Sequence, residues 1–277
     1  MVRVIVYEPH YDAKHREVLR AFAEGAARDP GANVRVKDAR DFAAGEADVA
    51  VVFGWYKTAY APSMPKLPII QHPGHRLLVI ESGFQLRGTY YQAGWGGFAG
   101  HADHRAAGAG TDRFYGMGLA LAPWRVRDGP TVVVGQVPWD TQVQDVDHAA
   151  WCRRVVKWLL NADKDVLFRP HPRVKGRGPD PYGMAGMAPT DEGKLAPTLK
   201  RAARVVTYNS TTAVDAVLAG IPTVAMDAGS MAWGVSSHRL GDPPATPDRT
   251  AWAARLGYSQ WTRDEMAEGL AWVHLSR

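Results

Sequence analysis

Three short groups of residues in this 277-residue chain carry the side chains needed to move a group off a phosphorylated donor. Glu81-Ser82-Gly83 supplies a carboxylate, which can take a proton from an attacking hydroxyl. Arg169-Pro170-His171-Pro172 supplies a guanidinium and an imidazole, both able to hydrogen-bond phosphate oxygens, and the flanking prolines hold the ring in one direction. Tyr208-Asn209-Ser210-Thr211-Thr212 opens a helical pattern, where N–H groups, hydroxyls and the helix dipole favour an anion. Each group also has an ordinary alternative: an ion pair of Glu81 with Arg87, a loop histidine fixed by a carbonyl, a plain helix cap.

The elements that must position these groups follow from hydrophobic pattern. Apolar β-rich runs alternate with helical patterns, the mark of an α/β protein with parallel sheets. Strands are expected over 2–7, 34–36, 47–53, 77–80, 131–134, 165–168, 204–207 and 222–225. Helices are expected over 14–27, 147–161, 192–203, 211–219, 249–256 and 263–275. The roughly forty residues after Glu81, rich in Gly, His and aromatics, read as a long functional loop or lid. The turn at Asp128-Gly129-Pro130 divides the chain into 1–125 and 126–277, with the last helix packing back on the first half. Open α/β sheets bind ligands beyond the carboxyl ends of their strands. Glu81, Gln136 to Asp140, His171 and Ser210 each follow a strand in this way, and that agreement outweighs any single motif.

Composition narrows the class. Against 28 Asp and Glu stand 33 Lys and Arg, a formal charge of +5. The cations are spread (Arg153, Arg154, Lys157, Arg173, Lys175, Arg177), so the charge suits a phosphorylated donor and permits nucleic acid without requiring it. No apolar run approaches the roughly 20 residues that span a bilayer, and the first residues alternate as a strand does, unlike a signal peptide. The single cysteine, Cys152, excludes an intrachain disulfide, makes a reducing cytoplasm the default, and falls in an amphipathic pattern that suits packing. His72-x-x-His75, His101-x-x-His104 and Asp145-x-Asp147 are poor metal sites by spacing, so no metal ligands are assigned and no obligatory cofactor is expected. Neither a Gly-x-Gly-x-x-Gly after the first strand nor a Walker sequence is present, which speaks against dinucleotide oxidoreductases and kinases.

The order of the Glu-x-Gly, His-Pro and Ser/Thr groups resembles that of bacterial sialyltransferases and of the Kdo transferases of capsule assembly. Val133-Val134-Gly135-Gln136-Val137-Pro138-Trp139-Asp140 is similar to the latter's Gly-Gln-Val…Asp segment. Phe168 to Arg177 is similar to their Lys-Pro-His-Pro stretch with its following Gly and Arg, and Ser210 to Pro222 to their Ser-rich turn, helix and strand entry. Ala232-Trp233-Gly234 resembles a later Gly-Trp-Gly. The resemblance covers mainly 131–236, with Glu81 to Phe84 in the first half; Ser82 stands where an acidic residue is usual, and Arg169 where Lys is common.

It implies a GT-B glycosyltransferase: two Rossmann-like domains facing a cleft, the first binding acceptor and the second a UDP- or CMP-linked sugar. Glu81 and His171 would be catalytic. The donor set would be Gln136, Asp140, Arg169, His171, Asn209, Ser210, Thr211 and Thr212. Kdo transferases of this kind retain anomeric configuration, a route in which a carboxylate does more than take a proton. The segment 87–105, with Arg87, Tyr90, Tyr91 and Trp95, would hold the acceptor, and its aromatics suit an extruded base. That makes a hydroxymethylated base in duplex DNA, as modified by phage enzymes, one candidate acceptor; the ordinary alternative is that the aromatics pack a core. A capsule or surface-glycan transferase and a non-catalytic nucleotide or nucleic-acid binding module are the rival readings. Oligomeric state is left open.

Overall fold

The computed structural model describes residues 1–56, 65–162, 164–175 and 180–277. Gly176 and Arg177, part of the resemblance above, lie outside the described residues. The chain divides into two compact units, Met1–Met117 with Ala253–Arg277, and Gly118–Trp252.

In chain order the first unit begins with β1 (Val2–Glu8), α1 (Ala13–Ala26), β2 (Ala32–Asp38), β3 (Val49–Phe53), α2 (Leu67–Gln71), β4 (Arg76–Ser82), β5 (Tyr90–Trp95) and α3 (Asp112–Gly116). The second holds β6 (Thr131–Val134), α4 (His148–Asn161), β7 (Val166–Arg169), α5 (Leu195–Arg201), β8 (Arg204–Thr207), α6 (Thr212–Leu218) and β9 (Thr223–Ala225). After α7 (Thr250–Tyr258), β10 (Gln260–Thr262), α8 (Arg263–Ala267) and α9 (Leu270–Leu275) belong to the first unit again.

The first unit's sheet runs β10-β5-β4-β3-β1-β2. β2, β1, β3 and β4 are parallel; β5 is antiparallel to β4, and β10 to β5. Strand side chains alternate between faces, and here both faces are covered. Val4, Val6, Val51 and Ile80 pack with Val18 and Phe22 of α1, while Ile5, Tyr7, Val52 and Val79 pack with Ile69 of α2. Asp12 starts α1 by accepting the His15 N–H at 3.0 Å.

Two expectations change here. The stretch after Glu81 is no lid over its whole length: Tyr90–Trp95 is an interior strand whose Tyr91, Ala93 and Trp95 enter the α1 core. The expected helix over 263–275 is two helices, because Gly269 takes a φ of +88° that ends α8 before α9 begins. Thr262 caps α8 in a reciprocal box with Glu265. The segment just before it forms β10, whose Gln260 Oε1 accepts the N–H groups of Phe84 (2.6 Å) and Gln85 (3.0 Å), tying down the turn that follows Glu81.

The second unit is a wholly parallel sheet, β7-β6-β8-β9, with helices on both faces. Trp151, Cys152, Val155 and Leu159 of α4 pack on Val133, Phe168 and Val206. Leu199 of α5 and Ala216 of α6 pack on Val132, Val134 and Val205. Cys152 is fully buried, and burial pushes its thiol up to about 12. Among the described residues no helix is long and apolar enough to cross a membrane.

Candidate functional site

Apart from Arg169, which ends β7, the expected donor residues of the second unit follow the carboxyl ends of its strands, and hydrogen bonds lace these ends into one rim. Gln136, after β6, donates from Nε2 to Asn209 Oδ1 at 2.8 Å, and the Asn209 N–H donates back to Gln136 Oε1 at 3.1 Å. Asn209, after β8, donates from Nδ2 to Asp227 Oδ1 (2.8 Å) beyond β9 and to the Gln142 carbonyl (2.9 Å). The Tyr182 hydroxyl donates to the Gln136 carbonyl at 2.7 Å and accepts the His171 N–H at 3.2 Å, joining the ends of β6 and β7. His148 Nε2 accepts the Gln136 N–H at 2.8 Å; burial lowers that imidazole to about 4, so it is neutral and its acceptor nitrogen is assured. Gln136 and Asn209 therefore spend their amides on each other and on the rim, as positioning groups.

His171 is held differently. Its Nδ1 accepts the Arg173 N–H at 3.1 Å, so in the neutral ring the proton sits on Nε2, the tautomer that donates. Ser210 Oγ accepts the Thr212 N–H at 3.2 Å, and Thr211, which precedes α6, makes no side-chain cap. Thr211 and Thr212 are half-buried. Asp140 accepts the Gln142 N–H at 3.1 Å at the head of a short 3-10 turn, Thr141–Val143, beside the exposed Trp139.

Arg169 differs from expectation. It is 6% exposed, and its guanidinium donates to Thr198 Oγ1 at 3.0 Å and to the Gly193 carbonyl at 2.7 Å, with Asp191 at 3.8 Å. It braces the loop before α5, where a donor-facing cation had been expected. Asp191 accepts from the Thr198 hydroxyl (2.6 Å), the Gly193 N–H (2.9 Å) and Arg201 (2.5 Å). The Thr198 hydrogen bond first, then the Gly193 N–H and Arg201, hold its carboxyl below the usual range against the opposing effect of burial. A carboxyl depressed in the folded state contributes stability that is present above its unfolded pKa and lost as pH falls through the folded one. Asp191→Asn is accordingly expected to cost about 1–3 kcal/mol at neutral pH. In urea melts the gap between variant and wild type closes on acidification; a gap independent of pH would refute the assignment.

In the first unit Glu81 is the penultimate residue of β4, half-buried, and its Oε1 accepts the Ser82 N–H at 2.7 Å. Of the expected acceptor residues, Tyr91 (3% exposed) and Trp95 (7%) are core. Trp95 Nε1 donates to the Leu275 carbonyl at 2.9 Å, and the Arg76 guanidinium lies 3.9 Å from its ring. Neither ring offers a face to a base. Tyr90 is half-buried and Arg87 exposed, on the turn between β4 and β5. One histidine of each pair serves locally: His72 Nδ1 accepts the Gly74 N–H (2.7 Å), and His104 places its two ring nitrogens on the Ala93 and Ala99 carbonyls at 2.9 and 3.0 Å. Among the described residues no group of three or more His, Cys, Asp or Glu is placed to hold a metal.

The sequence reading missed Tyr182, Asp227, His148 and, in the first unit, Lys66. A hydroxyl-bearing aromatic inside the Gly- and Pro-rich stretch after β7 was the available signal for Tyr182; the others have no local pattern.

With this geometry in place the fold has known counterparts. Over 98% of this chain and 99% of the other, the structure is similar to the β-Kdo 2,7-transferase of Thermosulfurimonas dismutans KpsC, with a TM-score of 0.54 at 12% identity. The β-Kdo 2,4-transferase of the same KpsC is similar over 94% of this chain and 91% of its own, with a TM-score of 0.52 at 13% identity. The fold is theirs. No protein-family model matches the chain, and no curated protein matches it by sequence.

Proposed function

We propose that the chain is a GT-B glycosyltransferase. It takes a sugar from a nucleotide-activated donor held at the strand ends of the second unit and passes it to a hydroxyl acceptor, with Glu81 of the first unit as the carboxylate acting on that hydroxyl. The observation that carries this reading is the rim of Gln136, Asn209, Asp227 and Tyr182, which ties down the loops bearing His171 and Ser210 beyond β7 and β8, the parallel strands on either side of β6. As the sugar departs, negative charge grows on the leaving phosphate, and preorganised donors are worth most there. His171 Nε2–H and the hydroxyls of Ser210 and Thr211 would supply them. Likeness of fold to two Kdo transferases supports a sugar as the transferred group and makes CMP-linked donors the first to try, with UDP-linked donors next. The acceptor is a glycan hydroxyl in this reading, since burial of Tyr91 and Trp95 withdraws two of the aromatics expected to stack on a DNA base.

A thermal-shift screen of the full chain against CMP, UDP, GDP, ADP and their sugar conjugates tests it. CMP or UDP is expected to raise the melting temperature. His171→Ala is expected to weaken that nucleotide's binding by about tenfold, the loss of one hydrogen bond of about 1.4 kcal/mol. Absence of a shift with every nucleotide would remove the donor and with it the proposal.

A further inference from the structure

Lys66, which directly precedes α2, is 1% exposed. A buried ammonium is costly unless opposite charge and hydrogen bonds answer it, so its surroundings must account for it. Its Nζ donates to the Phe53 carbonyl at the end of β3, at 2.7 Å, and lies 4.4 Å from the centre of the Tyr56 ring and 5.9 Å from that of Tyr11. Burial draws the amine from its ordinary 10.5 down to about 8, while Glu81 and then Asp12 pull the other way. Gly54 marks where the lysine and the β4 carboxylate converge. Its φ is +83°, and a Cβ built on it would stand 3.4 Å from Glu81 Oε2, 3.5 Å from Lys66 Nζ and 3.4 Å from the Tyr56 ring. Backbone conformation disfavours a side chain there, and the carboxylate and ammonium both border this one small region.

We propose that Lys66 is the positioning residue for Glu81: its buried ammonium keeps the carboxylate charged and turns Oε2 toward the acceptor hydroxyl. The identity of that hydroxyl rests on the glycosyl-transfer reading; the Lys66–Glu81 pair does not. Among the described residues, the other groups around the ammonium come from the start of α1 and the end of β3. Asp12 adds a second negative charge. His15 stacks on Phe53 at 3.8 Å, its imidazole lowered by burial, with Asp12 opposing and Lys66 and Lys14 adding to the effect. Tyr11 and Tyr56 contribute their ring faces. Loss of the Lys66 proton above about pH 8 removes a buried positive charge that acts on Glu81, so transfer should decline on that alkaline side.

The pair is tested without substrate. In the full chain labelled with ¹³C at the lysine ε-carbon, the Lys66 signal, identified by its loss in Lys66→Arg, is followed by NMR from neutral to alkaline pH. A midpoint near about 8 is expected in wild type. In Glu81→Gln it should fall by about one pH unit, because the anion favouring the ammonium is gone. Glu81→Asp, which keeps the charge at shorter reach, should fall between the two. An ordinary lysine midpoint in wild type, or one that Glu81→Gln leaves in place, overturns the proposal.

With the donor found by thermal shift, Lys66→Arg should lose about tenfold in kcat and Lys66→Met about a hundredfold. The KM for donor should be unchanged in both, and the alkaline decline near about pH 8 absent from Lys66→Met. A merely structural lysine would lower stability and leave the pH profile alone. If nucleotides bind but the lysine midpoint ignores Glu81, this inference falls and the proposed function stands. If the midpoint follows Glu81 and no nucleotide binds, the pair stands and the proposed function falls.

Discussion

On the proposed function, replacing Glu81 with Gln is expected to lower kcat for sugar transfer by about a hundred- to ten-thousandfold, with the nucleotide still raising the melting temperature as in wild type. The reason is the division of labour in the proposed function. The proposed donor residues and the rim around them belong to Gly118–Trp252, and Glu81 belongs to the first unit. Gln preserves the shape of the side chain, so the β4 end and its pairing with Gln92 on β5 remain. Oε1 accepts the Ser82 N–H, and Oε2, the atom near Gly54 and Lys66, is the proposed proton acceptor. Steady-state kinetics beside a thermal-shift titration make the check. Wild-type turnover in Glu81→Gln would remove this carboxylate from the mechanism, whatever the fate of the donor site.

Asn209→Ala has the largest expected effect on stability, about 3 kcal/mol in urea denaturation at neutral pH. One truncation leaves Gln136 Nε2, the Gln142 carbonyl and one Asp227 contact without their Asn209 side-chain partner, at ~1–3 kcal/mol for each buried group left unsatisfied and with incomplete additivity. The Asp227 carboxylate keeps its bond from the Gly229 N–H, which limits the loss there. Donor binding falls with stability, because the same bonds fix the loops after β6 and β8. Asn209→Asp should be worse near neutrality, since it sets a carboxylate where Nδ2 met Asp227, and should recover in part on acidification. A cost in Asn209→Ala of less than about 0.5 kcal/mol, the range of an ordinary surface substitution, would mean that the rim does not hold the strand ends.

Much of the parallel framework was legible because its strands are short, apolar and followed at once by polar groups. Val2 to Tyr7, Thr131 to Val134 and Arg204 to Thr207 carry their own evidence, and the placing of Gln136, His171 and Asn209 beyond strands followed from it. β5 was not legible. Tyr90 to Trp95 includes two small residues and lies among glycines and histidines, so it looked like a loop until its partners on β4 and β10 were known. β10 has three residues and sits between helices, where local pattern favours helix. Arg169 shows a different limit: the motif fixes its place at a strand end but not the side to which its guanidinium turns, and Thr198, Gly193 and Asp191 decide that. Lys66 is a lone lysine in sequence, and only the convergence of β3 and β4 gives it a partner.

The return of Ala253–Arg277 to the first unit bears on the order in which the protein is made. A ribosome completes Gly118–Trp252 as one uninterrupted stretch, so that unit has all its strands before the last segment is synthesised. The first unit must wait. Until β10 arrives, β5 is a bare sheet edge, and the α1 core lacks Met266, Trp272 and Leu275. Exposed edges and unfilled apolar cores are where nascent chains associate wrongly. The unit made first is thus finished last, and the interval between its two parts is when a chaperone would matter most to this chain.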